Sequence, residues 1–238
     1  MEAVATPNIS AESRERWFFV LMALVIAITI VMGFGLFYRA GFSTFASPWW
    51  VHVHAVTFMT WIGLYVVQTT LVAKNNIARH RGLGKFGAYW SAWMVLVALV
   101  LTPVNLATHR APPFFTPPYF LALDWSNIVI FGALVYAAVR NRRRTDWHRR
   151  LMFCATICVT APAWGRLIVL SGAAMTGPLN VALLLPYLVI AMLFDWANRG
   201  RVHVAYLWGG GALVLLGLAP EVLSRIPAFA ALATRFVA

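Results

Sequence analysis

Apolar residues run along this chain in seven long blocks that are separated by short polar stretches. The blocks cover about residues 17–38, 49–73, 86–106, 120–139, 151–173, 181–197 and 204–218. A bilayer core of about 30 Å needs about 20 consecutive apolar residues in a helix that crosses it. The pattern therefore predicts an all-α integral membrane protein in which seven transmembrane helices form one domain.

The composition is unlike that of a soluble domain. Hydrophobic residues make up 61% of the chain and charged residues 11%, whereas a soluble domain has about 25% charged residues. The net charge of +12 would suggest a nucleic-acid partner if it lay on one soluble face, but the basic residues lie between the apolar blocks. We therefore expect the lipid bilayer as a partner and no nucleic acid.

The basic residues also predict the orientation, because Lys and Arg are retained on the cytoplasmic side of a membrane. They concentrate in every second connection, in the ranges 14–16, 74–85, 140–150 and 199–201. This places the N-terminus in the cytoplasm and the C-terminus outside, in a multi-pass protein of the bacterial inner membrane. The tail 219–238 then lies outside, either as an amphipathic helix along the membrane surface or as a frayed end.

The second and third blocks share a pattern with the fourth and fifth. Residues 48–50 and 118–120 open the two pairs with Pro and two aromatic residues, and a His-Arg stands before the later block of each pair, in 80–84 and 148–152. This favours a parallel repeat of two helical hairpins, with a four-helix core from spans two to five. The alternative is that aromatic and basic flanks are common to any two hairpins of this kind.

Ionisable residues inside a bilayer are costly, and for that reason they are candidates for function. Arg166 in the fifth span, Asp124 in the fourth and His54 in the second have similar predicted depths in the outer half. With Asn127 and Asn105 beside them, they predict a site for a polar or redox-active ligand. The alternative is structural: Asp124 and Arg166 pair to hold two helices together, and His54 bonds to a backbone carbonyl.

Helical spacing extends this site along two stripes. His54, Trp61 and Gln68 are seven residues apart and share one helix face. His148 and Arg166 are eighteen residues apart, which is about five turns of an unbroken helix. The stripes predict that Trp61 and Gln68 line a ligand-binding interior, although such side chains are also common in ordinary helix packing.

Three histidines near the outer side suggest a metal site. His52, His54 and His109 are candidates to bind copper or zinc there. Residues two apart on a helix point to nearly opposite sides, so His52 and His54 can share an ion only if the helix begins after them. The cysteines Cys154 and Cys158 lie within one apolar block and predict neither a disulfide framework nor a zinc motif.

Histidines also stand at three predicted helix starts on the cytoplasmic side, beside or close to arginines, at His80, His148 and His203. If a pseudo-two-fold axis relates the two hairpins, His80 and His148 are equivalent and can serve as paired axial ligands of a haem b. Neighbouring arginines would then hold the haem propionates. The alternative is that these His-Arg pairs anchor helix ends to anionic lipid head groups.

The second to fifth spans resemble a bacterial multi-pass membrane protein family of unknown function. The resemblance rests on these residues: His54, Trp61, Gln68, the His-Arg-x-x-Gly of 80–84, the His-Arg-x-x-Met of 148–152, and Arg166. That family is distantly similar to four-helix transmembrane cytochromes b, which implies a haem held between histidines of facing helices. Since no histidine lies inside the third, fourth or fifth block, the resemblance implies at most one haem.

Three functions follow as hypotheses. The first is a membrane redox protein linked to haem b or a quinone, with His54, His80, His148 and Arg166 as cofactor-binding residues and a membrane quinone or other electron-transfer partner. The second is a transporter or binding protein for a small anionic or lipidic ligand, anchored by Arg166. The third is a membrane-embedded metal-dependent hydrolase that uses His54, His109 and Asp124 as its metal ligands.

Overall fold

Nine helices make up the part of the chain that the structure, a computed structural model, describes, namely residues 10–237. Residues 1–9 and residue 238, the last of the predicted tail, lie outside it. The helices are α1 (Ala11–Arg39), α2 (Trp49–Ala73), α3 (Ile77–Ala107), α4 (Pro117–Arg140), α5 (Thr145–Cys158), α6 (Ala161–Leu170), α7 (Gly177–Arg199), α8 (Ala205–Leu223) and α9 (Pro227–Arg235). No strand occurs in the described range.

The described range contains seven helical segments that are long and apolar enough to cross a membrane. One of them, Thr145–Leu170, consists of α5 and α6 together. This confirms the predicted all-α architecture with seven such helices and fits a multi-pass membrane protein. The connections 74–76, 141–144 and 200–204 lie together at one end of the bundle, which we call the basic end. The opposite end is called the far end.

The fifth span is interrupted in its middle, between α5 and α6. Pro162 has no N–H, so it cannot donate to the carbonyl of Cys158 four residues earlier. Asn127 of α4 takes its place, because its Nδ2 donates to that carbonyl at 3.3 Å. The prediction assumed one unbroken helix between His148 and Arg166, but the break between α5 and α6 lies between these two residues.

Pro103 has the same effect inside α3. It leaves the carbonyl of Leu99 without a backbone donor, and Trp125 of α4 donates its indole N–H to that oxygen at 3.2 Å. A bilayer offers no water to satisfy such a carbonyl, so a side chain from a neighbouring helix has to do it. Helix α4 thus provides a side-chain donor for both carbonyls that Pro103 and Pro162 leave without a backbone partner.

The helices pack in a closed arrangement. Each of α2, α3 and α4 packs on the next helix in the chain, while α1 packs on both α2 and α6. Helix α8 packs on α4 and α5, and α7 lies against α8 and α6. The core contains fully buried side chains from most of these helices, among them Ile26, Met94, Phe131 and Phe153.

Several helices begin earlier than the apolar blocks suggest, and two of these helices carry histidines predicted to lie on the cytoplasmic side. Helix α3 begins at Ile77 and α5 at Thr145, each about two turns before the predicted block. Hydropathy marks where a chain enters hydrocarbon, whereas the hydrogen-bonded helix continues through polar first turns. His80 and His148 therefore lie inside helices, each as the fourth residue.

The predicted outer tail is helical over most of its length. Helix α8 continues to Leu223 and α9 covers Pro227–Arg235. Helix α9 packs on α4, where the rings of Phe229 and Trp125 meet edge-on with centroids 6.4 Å apart and Ala233 is fully buried. The tail is thus an integral part of the far end of the bundle rather than a frayed extension.

Candidate functional site

Two histidines face each other at the basic end. His80 of α3 and His148 of α5 have ring centroids 6.3 Å apart and ring planes at 78°. They occupy equivalent positions, since each is the fourth residue of the second helix in its hairpin. The structure therefore brings together the two residues that the sequence pattern predicts as a pair.

The ring of His148 is oriented by the helix before it. Its Nδ1 lies 2.9 Å from the backbone carbonyl of Ala138 in α4. A carbonyl can only accept, so Nδ1 carries the proton and Nε2 keeps a free lone pair. This tautomer is assigned from the hydrogen bond. His148 thus has the form that a metal-ligating imidazole needs.

Gln68 of α2 orients His80. With its amide turned so that every group has a partner, its nitrogen donates to Nδ1 of His80 at 2.7 Å and to the backbone carbonyl of His80 at 3.2 Å. Its oxygen then accepts from the N–H of Gly84 at 2.8 Å. In this arrangement the proton of His80 is on Nε2.

A buried ion network joins α1, α5 and α7 at the same end. Arg150 of α5 has no exposed surface, and Asp195 of α7 and Glu15 of α1 are as deeply buried. The guanidinium donates two hydrogen bonds to Asp195, at 2.9 and 2.5 Å, and one to Glu15 at 2.7 Å. Bidentate, charge-assisted bonds of this kind are strong and directional. Arg150 therefore holds three helices together.

Two further arginines and one further acid complete the network. Arg199 bonds to Glu15 and lies 3.2 Å from Asp146. Arg149 lies 3.0 Å from Glu15 and also pairs with Asp146. Three guanidiniums thus meet three carboxylates. Such a balance of charge is what makes buried ions tolerable.

Sequence reasoning missed this network. The arginines of 140–150 are interpreted above only as signals of topology, and neither Glu15 nor Asp195 is singled out. A signal was present, because both acids lie at the arginine-rich end of apolar blocks that contain few other acids. An acid in that position needs a basic partner from another helix.

His203 lies beside the network, in the connection between α7 and α8. Its backbone N–H donates to Oδ2 of Asp195 at 3.2 Å, and its Nδ1 accepts from the N–H of Ala205 at 3.1 Å. Burial, followed by the charge of Arg150, lowers the pKa of His203 below its usual value. The imidazole is therefore neutral at pH 7, and protonation at Nδ1 would break its bond to Ala205.

Acidification should destabilise this corner of the fold. Because the folded protein binds the proton of His203 less readily than the unfolded chain, the stability from the neutral ring is present above about pH 6.5 and is lost as the pH falls below it. In His203→Asn, whose side chain can still accept from Ala205, we expect a smaller drop in Tm between roughly pH 7.5 and 5.5 than in the wild type. An equal drop in both proteins would contradict this role of His203.

The three predicted outer residues lie at similar depth near the far end. His54 is the sixth residue of α2, Asp124 the eighth of α4, and Arg166 lies four residues before the end of α6. The charge of Arg166 is close enough to act on both other groups. Arg166 nevertheless donates to Pro162 O at 2.9 Å, and no N–O distance of 4.0 Å or less joins it to Asp124. These two side chains therefore do not form the ion pair considered above.

Trp61 and Asn127, both predicted to line the ligand-binding interior, contact protein groups instead. Trp61 is 3% exposed, meets Phe131 of α4 edge-on with centroids 5.0 Å apart, and has a buried Nε1 without an acceptor. Asn127 uses its amide on Cys158, as described above. Gln68 alone among the predicted interior residues contacts a histidine of the predicted cofactor site.

The outer histidines are not gathered around a common point. Within residues 10–237, no three His, Cys, Asp or Glu side chains form a group suited to a metal ion. His52 bonds through Nε2 to the carbonyl of Ser47 at 3.1 Å, His54 stacks on Phe58, and His109 is exposed in a left-handed turn at φ 52°. The structure thus gives no metal site from His52, His54 and His109.

Known proteins provide no template for either end of the bundle. No protein-family model, no curated protein and no solved structure matches this chain. The two polar sites of the chain therefore carry the functional evidence.

Proposed function

We propose that this chain is a redox protein of the bacterial inner membrane that holds one haem b between His80 and His148. The observation that carries the proposal is the approach of the two rings, whose centroids are 6.3 Å apart. Two imidazoles that share one metal ion, each with a metal–nitrogen distance of about 2 Å, place their ring centroids at most about 6 Å apart. At this separation His80 and His148 would both be able to hold one haem iron.

The hydrogen bonds around the pair allow a test of fit. His148 fits without change, because its Nδ1 is bonded to Ala138 and its Nε2 lone pair is free. His80 fits once the Gln68 amide turns over, so that its oxygen, 2.7 Å from Nδ1, accepts the proton there. The turned amide then loses its hydrogen bonds to the His80 carbonyl and to the Gly84 N–H, at the cost of two hydrogen bonds. Gln68 is thus a positioning residue for His80.

A haem b in this place would supply one-electron transfer. The protein contributes the two neutral imidazoles, and the charge of Arg81, which acts on His80, suits a propionate. The partner class that we propose is a membrane quinone, because a lipid-soluble carrier can reach a site among membrane helices.

Difference spectra test the proposal directly. The chain is produced in haem-replete cells, purified in detergent, and recorded reduced minus oxidised, with haem content measured per chain. We expect a b-type spectrum with about one haem per chain, and its loss in His80→Ala and in His148→Ala. His109→Asn is the matched control, because that histidine is exposed at the far end and its left-handed φ of 52° suits asparagine.

Two results would overturn the proposal. One is a wild-type protein without a Soret band although the cells are replete with haem. The other is a spectrum that both histidine variants retain at wild-type intensity. Size-exclusion chromatography of each variant separates loss of haem from loss of fold.

A further inference from the structure

Arg166 is a charged side chain with few partners in the protein. A guanidinium has five N–H donors, and the hydrogen bond from Arg166 goes to Pro162 O of its own helix, at 2.9 Å. Its Cζ lies 4.0 Å from the ring centroid of Phe34 and 5.4 Å from that of Phe37, both in α1. The aromatic rings hold the guanidinium plane in place by cation–π contact. Most of its donors are left for another acceptor.

Asp124 is the natural candidate for that acceptor, yet it is not in contact. Its Oδ2 accepts from Oγ1 of Thr102 at 3.2 Å. The charges of Asp124 and Arg166 act on each other across a gap longer than the 4.0 Å of an ion pair. Opposite charges within a membrane bundle are costly when they remain apart. A polar group between them would satisfy both.

The neighbouring part of α2 adds further unused donors. His54 lies flat on Phe58, with centroids 4.4 Å apart and planes at 16°, and it is near enough for the Arg166 charge to act on it. Trp50 is one turn earlier on the same helix face, and its indole N–H is buried without an acceptor. This face of α2 therefore adds hydrogen-bond donors without acceptors to the far end.

We propose that Arg166, Asp124 and His54 form a binding site for a small carboxylic acid that carries a hydroxyl or amino group next to its carboxyl group. The Arg166 fork binds the carboxylate with two parallel hydrogen bonds. Asp124 accepts from the adjacent O–H or N–H of the ligand. A phosphate dianion is disfavoured, because the site has one arginine and an acid of the same sign as the ligand. This site is independent of the proposed haem at the basic end.

Thermal unfolding of the purified, full-length protein in detergent tests this site with four probes: lactate, alanine, acetate and inorganic phosphate. We expect lactate or alanine to raise Tm in a concentration-dependent way, acetate to do so only at concentrations at least about ten times higher, and phosphate to have no effect. Arg166→Gln should abolish the shift. Arg110→Gln, a change at an exposed arginine of the far end, should leave it intact.

Two further variants keep the test decisive. Arg166→Lys retains the charge without the fork and should weaken binding at least about tenfold, which covers the case that Arg166→Gln does not fold. Asp124→Asn should reduce the preference for lactate or alanine over acetate. No Tm shift with lactate or alanine, or an equal shift in wild type, Arg166→Gln and Arg166→Lys, would overturn the proposed site. Because none of these measurements reads haem, their outcome is separate from that of the spectra.

Discussion

Replacement of Arg150 by methionine should lower the free energy of unfolding by about 3–5 kcal/mol, the range found when one partner of a buried ion pair is removed. The change leaves the carboxylates of Glu15 and Asp195 buried with fewer donors, since Arg150 donates to both. It also removes the contact of the guanidinium with the Tyr206 ring, 5.7 Å from its centroid. Thermal unfolding in detergent and the yield of monodisperse protein measure the effect.

Arg143→Met is the control for this prediction, because Arg143 is an exposed arginine in the connection 141–144 at the same end. We expect a change within about 0.5 kcal/mol there. Removing the stranded charges as well, in a triple variant with Glu15→Gln and Asp195→Asn, should restore part of the loss. If Arg150→Met unfolds at the same temperature as Arg143→Met, the network does not hold α1, α5 and α7 together.

Gly209→Ala should destabilise the protein by about 1–3 kcal/mol through overpacking. A Cβ at Gly209 of α8 would lie 2.3 Å from Sγ and 3.0 Å from Cβ of Cys154 in α5, and both distances are below ordinary contact. The two helices would have to move apart. Gly211→Ala is the matched control two residues away, since nothing lies within 4 Å of a Cβ there.

The sign of the effect should differ between these two glycines. In Gly211→Ala the new alanine is a better helix former than glycine, so we expect an unchanged or higher Tm. The free energy of unfolding should rise by up to about 1 kcal/mol. Cys154→Ala should partly rescue Gly209→Ala in the double variant, because it removes the sulfur that a Cβ would meet. Equal effects of the two single changes, or no rescue by Cys154→Ala, would mean that α5 and α8 are not in this close contact.

Much of the architecture follows from the amino-acid sequence alone. The number of apolar helices and their approximate positions follow from local hydropathy, because transfer of each segment into hydrocarbon depends mainly on its own composition. The pairing of His80 with His148 was also predictable, because two similar hairpins place equivalent residues at the same end. The apolar blocks did not show where α3 and α5 begin, since polar first turns carry no hydropathy signal.

The partners of the polar side chains were decided by the tertiary structure. Arg150 meets Glu15 across 135 residues of sequence and Asp195 across 45. Gln68 meets His80, and Asn127 meets the carbonyl that Pro162 leaves free. Each contact depends on which helices are neighbours and how each is rotated about its axis. Those properties are set by the packing of whole helix faces, which the spacing of residues along a single span does not contain.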